Sequence, residues 1–200
     1  MGLKNVMIDI ETLAIAKPLQ PNVRISQIGL AVFDDNFHIT DTLSINIDTS
    51  KQKDRIKDQE TINWWMKQPK EVIKSVFSNE VDPYKASKTI ISFLENIGKH
   101  KFRFWSNHVL FDVVAFESFL KDFSEKTGDD FYRYNQIVDY ATMVDYMCMN
   151  LAISKQTFFN MVNETFYDEY PDFKQHNALD DCIYQIYVLK QIDQMLFGDD

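Results

Sequence analysis

The chain is poor in cysteine, glycine and proline, and it has no long apolar run. Only 2 of its 200 residues are cysteines, Cys148 and Cys182, and neither stands in a C-x-x-C or other zinc-ligand spacing. Both lie among apolar residues, which reads as small core fillers rather than a disulfide. No stretch approaches the ~18 consecutive apolar residues of a membrane span. Residues 1–6 carry no signal-peptide pattern, and Val6 stands where a myristoylation motif has Ser or Thr. These absences give the expectation of a cytoplasmic protein with no membrane contact. There is no internal repeat, low-complexity tract or Gly/Ser linker, so a single domain over residues 1–200 is expected. A net positive charge is missing too. At −9 the chain is no simple basic coat for nucleic acid, although an enzyme that handles nucleic acid locally stays open.

Against these absences stand 16 Phe and 9 Tyr in a chain that is 45% hydrophobic, enough to build a sizeable core. The charge is also unevenly spread. Residues 51–103 hold twelve Lys/Arg against seven Asp/Glu, so a basic middle is flanked by acidic ends. That pattern suits a phosphate-guiding wall beside a carboxylate site, and equally suits ordinary solvated helix faces.

Apolar patterning predicts strands at Val6–Ile10, Ile25–Phe33 and Thr42–Ile47, joined by connections short enough for an antiparallel meander. Helices are expected over about 60–68, ended by Pro69, and about 84–97. A strand at Phe102–Ser106 then leads to a helix over about 110–124. A short strand at Gln136–Val138 leads to another over about 139–150, and a long amphipathic helix over about 177–197 closes the chain. Three strands followed by β-α-β-α is the order of a mixed sheet flanked by helices, an α/β fold.

Asp9 and Glu11 are the sharpest feature. In a strand, residues i and i+2 face the same side, so two carboxylates stand together at the end of a core strand. They repel each other and lose solvation, an arrangement that calls for a cation. The alternative is a strand that ends at Asp9, with Glu11 and Thr12 solvated or capping. Asp112 follows a strand at a helix start, where Asp often serves only as an N-cap. At 100° per residue, however, it shares a face with Phe116, Phe119 and Phe123 and so turns inward. In the run His176-Asn177-Ala178-Leu179-Asp180-Asp181, the helical wheel sets Asp181 at the border of the apolar stripe and turns Asp180 into solvent. Asp181 is the candidate ligand, and Asp180 a first-turn acid favoured by the helix dipole. His176, five residues earlier, belongs on the entering loop, overhanging the same site.

The ordered set D-x-E-T, N-x4-D at a strand-to-helix junction, and H-x4-D resembles the DEDDh (DnaQ-like) 3'→5' exonuclease superfamily. Its residues here are Asp9, Glu11, Asn107, Asp112, His176 and Asp181, spanning about residues 5–190. Within that superfamily the chain looks most like the phage DexA and exonuclease VIII group, through Ile28-Gly29, Phe33-Asp34 and Thr61-Ile62-Asn63-Trp64-Trp65. The resemblance implies an RNase H-like fold with a mixed five-stranded sheet. It also implies two Mg²⁺, replaceable by Mn²⁺, held by Asp9, Glu11, Asp112 and Asp181. His176 would then take a proton from the attacking water, and single-stranded nucleic acid would be cut from its 3' end to 5'-mononucleotides. DNA is favoured over RNA on the subgroup resemblance alone, and a homodimer is compatible with it.

Asn107, Trp64 and Trp65 are candidate substrate contacts, the tryptophans by stacking a terminal base, although adjacent helix positions send one of them toward the core. Lys51, Lys53 and Arg55 read as a mobile basic loop able to meet phosphates, or as a plain solvated connection. Two other classes fit less well. A haloacid-dehalogenase-type phosphatase needs a second Asp where Glu11 stands, and a Gly that is absent before Asp180. A non-catalytic nucleic-acid-binding domain of the same fold would have lost metal carboxylates, and none is missing.

Overall fold

The computed structural model describes residues 2–17 and 19–198. Five strands form one mixed sheet in the order β3-β2-β1-β4-β5. β1 (Lys4–Thr12), β2 (Ile25–Phe33) and β3 (Ile39–Asn46) are antiparallel neighbours, the expected meander. β4 (Phe102–Ser106) runs parallel to β1, and β5 (Ile137–Asp139) parallel to β4. β1 runs two residues further than the apolar pattern alone marks, so Glu11 lies within the strand rather than beyond it.

Alternation along β1 divides the molecule into two cores. Val6, Ile8 and Ile10 pack toward α3 (Pro83–Ile97) and α4 (Asp112–Ser124), where Ile90, Leu94, Phe116 and Phe119 are fully buried. Met7 faces the other side, with α5 (Tyr140–Asn150), α6 (Lys155–Glu169) and α7 (Ala178–Phe197). Asp9 and Glu11 share the parity of Met7 and therefore point to the α7 side. α1 (Gln59–Trp65) and α2 (Lys70–Val76) close a small satellite core of Leu13, Trp65, Val72 and Val76.

Two helices, α2 and α6, are not marked by the sequence pattern. α6 buries Phe158, Val162 and Phe166 at four-residue spacing. Its Thr, Asn and aromatic residues are middling helix formers, so packing against α7 rather than propensity makes it a helix. Ser154 caps it by accepting from Thr157 N at 3.0 Å. α1 ends at Trp65 rather than at Pro69, which instead stands at the N-cap of α2.

The entry of α7 is seated on β2. Gln27 Oε1 accepts from Ala178 N at 2.7 Å. A Cβ on Gly29 would lie 2.4 Å from the Ala178 carbonyl carbon, so only glycine admits the helix this close. Both cysteines are free and buried, as the composition implied, and Cys182 lies against the Met7 and Gly29 carbonyls at the same seam.

Candidate active site

The C-terminal ends of β1 and β4 and the N-termini of α4 and α7 converge on one cavity of about 370 Å³. Asp9, Glu11, Asp112, Asp181, His176 and Asn107 all line it. The fold thus brings together the five residues expected to carry chemistry.

Each side chain is held by its own element. β1 presents Asp9, and Gln185, one turn beyond Asp181 on α7, donates from Nε2 to Asp9 Oδ1 at 3.1 Å. Asp112 is buried, and its Oδ2 accepts from Ser106 Oγ at 2.6 Å and His108 N at 3.3 Å. It is the first residue of α4 and is spent on the strand and loop before it, so the plain N-cap alternative does not hold. Asp181 Oδ2 accepts from His176 N at 3.0 Å, which ties the end of the loop to the first turn of α7. His176 itself has φ 67°, a left-handed conformation uncommon outside glycine. Its ring packs edge to face with Trp64, centroids 4.8 Å apart.

The electrostatics are one-sided. Burial, then the charges of Asp112, Asp181 and Glu11, pushes the Asp9 carboxyl well above its ordinary range, with the Gln185 hydrogen bond pulling it back. Glu11 is raised by burial and by Asp181 and Asp112. Burial lifts Asp112 to about 7 against its bonds from Ser106 and His108, and lifts Asp181 to about 7 against the His176 amide. Among the described residues no Lys, Arg or His side chain forms an ion pair with any of the four. Four carboxylates without a protein cation are what a hard divalent ion needs. Glu11, His176 and Asp181 each offer a ligand atom, and those atoms lie within 4.8 Å of one another. The residues present fit a metal site.

The chain matches the model of the 3'-5' exoribonuclease Rv2179c-like domain over residues 4–192. It belongs to that family. In fold it is similar to cell-death related nuclease 4 (CRN-4), with a TM-score of 0.60 at 16% identity, covering 97% of this chain and 64% of that one. It is similar too to the zinc-bound E. coli ExoI–ssDNA complex, with a TM-score of 0.62 at 15% identity over 97% of this chain and 41% of that one. E. coli exonuclease I with a dT13 oligonucleotide gives 0.62 at 14%, covering 96% and 41%. The chain therefore spans between about two fifths and two thirds of the length of these proteins. The shared fold is the RNase H-like α/β fold of DEDD exonucleases. No curated protein sequence matches the chain.

Three expectations need correction. Arg55 is not on a free basic loop. It is buried; its guanidinium pairs with Asp122, donates to the Val23 carbonyl at 2.8 Å and lies over the Phe119 ring. In the same segment Lys51 pairs with Asp82 at 3.1 Å and Lys53 is exposed, and neither lines the cavity. Trp65 is core, donating from Nε1 to the Thr12 carbonyl at 2.9 Å and packing on Phe77, which leaves Trp64 alone at the rim. Asp180 turns away from the cavity but not into solvent: its half-buried carboxylate accepts from Lys174 N at 2.9 Å and closes the turn that carries His176.

Sequence reasoning missed Gln185, Ser106 and Asp139. Asp139 ends β5 and accepts from Val109 N at 3.2 Å, fixing the loop that bears Asn107. Ser106 and Asp139 carry no distinguishing pattern. Gln185 carries one, a polar residue four positions after Asp181 on the face of an apolar stripe.

No helix among the described residues is long and apolar enough to cross a membrane.

Proposed function

We propose that the chain is a metal-dependent 3'→5' exonuclease that shortens single-stranded RNA from its 3' end and releases 5'-mononucleotides. The observation that carries this reading is the convergence of Asp9, Glu11, Asp112 and Asp181 on one cavity, with a histidine beside them and no protein cation paired to them among the described residues. Asp9, Glu11, Asp112 and Asp181 would hold two Mg²⁺, for which Mn²⁺ could substitute. When bound, the ions supply charge compensation for the attacking and leaving oxygens of a phosphodiester displacement.

The remaining work falls to the chain. His176 lines the same cavity close to Glu11 and Asp181, and burial lowers its pKa, which favours the neutral ring that can accept the proton of the attacking water. Trp64, partly exposed beside that ring, would stack the terminal base, and Asn107, which lines the cavity, would contact the sugar-phosphate. The loop before α7, pinned by Asp180 and Asp181, holds His176 in place.

The family description favours RNA, and it matches nearly the whole chain. The expectation of DNA rests on the DexA and exonuclease VIII likeness, carried by residues with local structural roles here: Gly29 admits α7 and Trp65 fills a core. The test is one incubation of end-labelled RNA and DNA oligonucleotides, labelled at either end, with and without Mg²⁺. Ladder-like shortening of 5'-labelled RNA, in Mg²⁺ only, is expected. Metal-independent cleavage, or products from internal cuts, would refute the reading.

A further inference from the structure

Gln185 is an odd residue for its position. It sits on the buried face of α7, only 5% exposed, between Cys182, Ile186 and Leu189 of the second core. A leucine or methionine would fill that space with no polar atom to satisfy. Its amide is also only half used. Nε2 donates to Asp9 Oδ1 at 3.1 Å, while Oε1 is buried with no donor within reach among the described residues. A buried carbonyl without a partner destabilises a fold, so the side chain is retained for something other than packing. The donor faces Asp9 because an ionised carboxylate can only accept.

The contact joins residues 176 positions apart, across the seam between α7 and β1. Asp9 has no other hydrogen bond to a side chain among the described residues, whereas Asp112 has Ser106 and two oxygens of the site are tied to backbone amides. With one oxygen held by Gln185, the Asp9 carboxylate is fixed in rotation at the centre of the acidic cluster.

We propose that Gln185 is the positioning residue for Asp9: its amide N–H sets the direction in which Asp9 presents its free oxygen to a divalent cation. The assignment rests on the metal-site reading above. Side chains in this supporting role typically change metal affinity by about 10–100-fold when removed.

The test measures Mn²⁺ binding to the whole chain by calorimetry, without substrate, for the parent, Gln185→Met and Gln185→Leu, alongside thermal unfolding in EDTA. Both variants should still unfold cooperatively in EDTA, since the unpartnered Gln185 carbonyl and the donor to Asp9 are lost together, while the Kd for Mn²⁺ rises about 10-fold. A parent-like Kd in either variant overturns the assignment. So does a loss of cooperative unfolding in both, which would make the amide a structural group. A parent that binds no Mn²⁺ overturns the metal reading itself, and the role of Gln185 falls with it.

Discussion

Stripping the divalent cation should make this protein's stability fall as pH rises through the neutral range, the reverse of ordinary acid denaturation. Asp112 has a folded-state pKa of about 7 against an ordinary 3.8. Between those values the unfolded chain has lost the proton and the folded chain has kept it, so each pH unit costs about 1.4 kcal/mol of stability. The full contribution is present below about pH 4 and is lost by about pH 7, roughly 4 kcal/mol in all. Asp181 is raised to about 7 as well, but the carboxylates share one site and release protons as a set. One group's worth is therefore the figure to expect.

Acids with lowered values, such as Asp34, Asp58 and Asp82, act with the opposite sign, but only below about pH 4. His176, lowered by burial, works weakly the other way near neutrality. Scanning from pH 5 to 8 in EDTA leaves the lowered acids silent, and Asp112 accounts for about 3 kcal/mol of loss inside the window, to which the raised Glu80, Glu117 and Asp180 add. For a chain of this size that is a fall of roughly 6–12 °C in Tm. Mg²⁺ should flatten the curve, because compensated carboxylates ionise in the folded state too. Asp9→Ala should melt above the parent at pH 8 in EDTA and lose activity. A melting temperature that is flat or rising across pH 5–8 in EDTA would refute the burial of uncompensated carboxylates.

Other substitutions separate the neighbours. Asp181→Asn should cripple turnover, whereas Asp180→Asn keeps an acceptor for the Lys174 amide and should change it little; Asp180→Ala, which frees the turn, should lower turnover more than Asp180→Asn does, as steady-state kinetics on the three proteins would show. His176→Ala should lower kcat by about 10²–10⁴-fold, the usual cost of a lost general base, while the Mg²⁺ affinity read by calorimetry stays within a few-fold. Arg55→Ala leaves the buried Val23 carbonyl without its donor and a cavity against Phe119, so denaturant unfolding should report a loss of about 2–4 kcal/mol. The double change Lys51→Ala/Lys53→Ala should leave both stability and the salt dependence of substrate binding nearly unchanged, and a flatter salt slope would return that loop to the substrate path.

The parts of the fold legible in the sequence are those where one local signal is strong. β2 is apolar at most positions and its bounds follow from that run, and the alternation of Ile8, Asp9, Ile10 and Glu11 places both acids on one face. α6 is illegible because its Phe, Thr and Asn residues favour a helix only once α7 is there to cover Phe158, Val162 and Phe166. Within the site, charge spacing points to the ligands, since acids that repel one another in a core need a cation to hold them there. It cannot reveal Gln185 or Ser106, whose roles exist only across a seam between distant segments. Arg55 misleads for a related reason: a basic residue among lysines reads as surface, and only the partner Asp122, 67 residues away, turns it inward.

The absent side chain of Gly29 bears on which length changes the chain can tolerate. The start of α7 is located by direct backbone contact with β2 and by the Gln27 amide, not by the segment that delivers it. Residues gained in the short segment between α5 and α6 would therefore be absorbed before the contact, much as slack rope is taken up before a cleat. Asp181 and Gln185 would stay opposite Asp9 whatever the length of that segment, whereas one residue inserted between Ala178 and Asp181 would rotate both by about 100° away from it. Variation in chain length in this architecture belongs ahead of the seam and not after it.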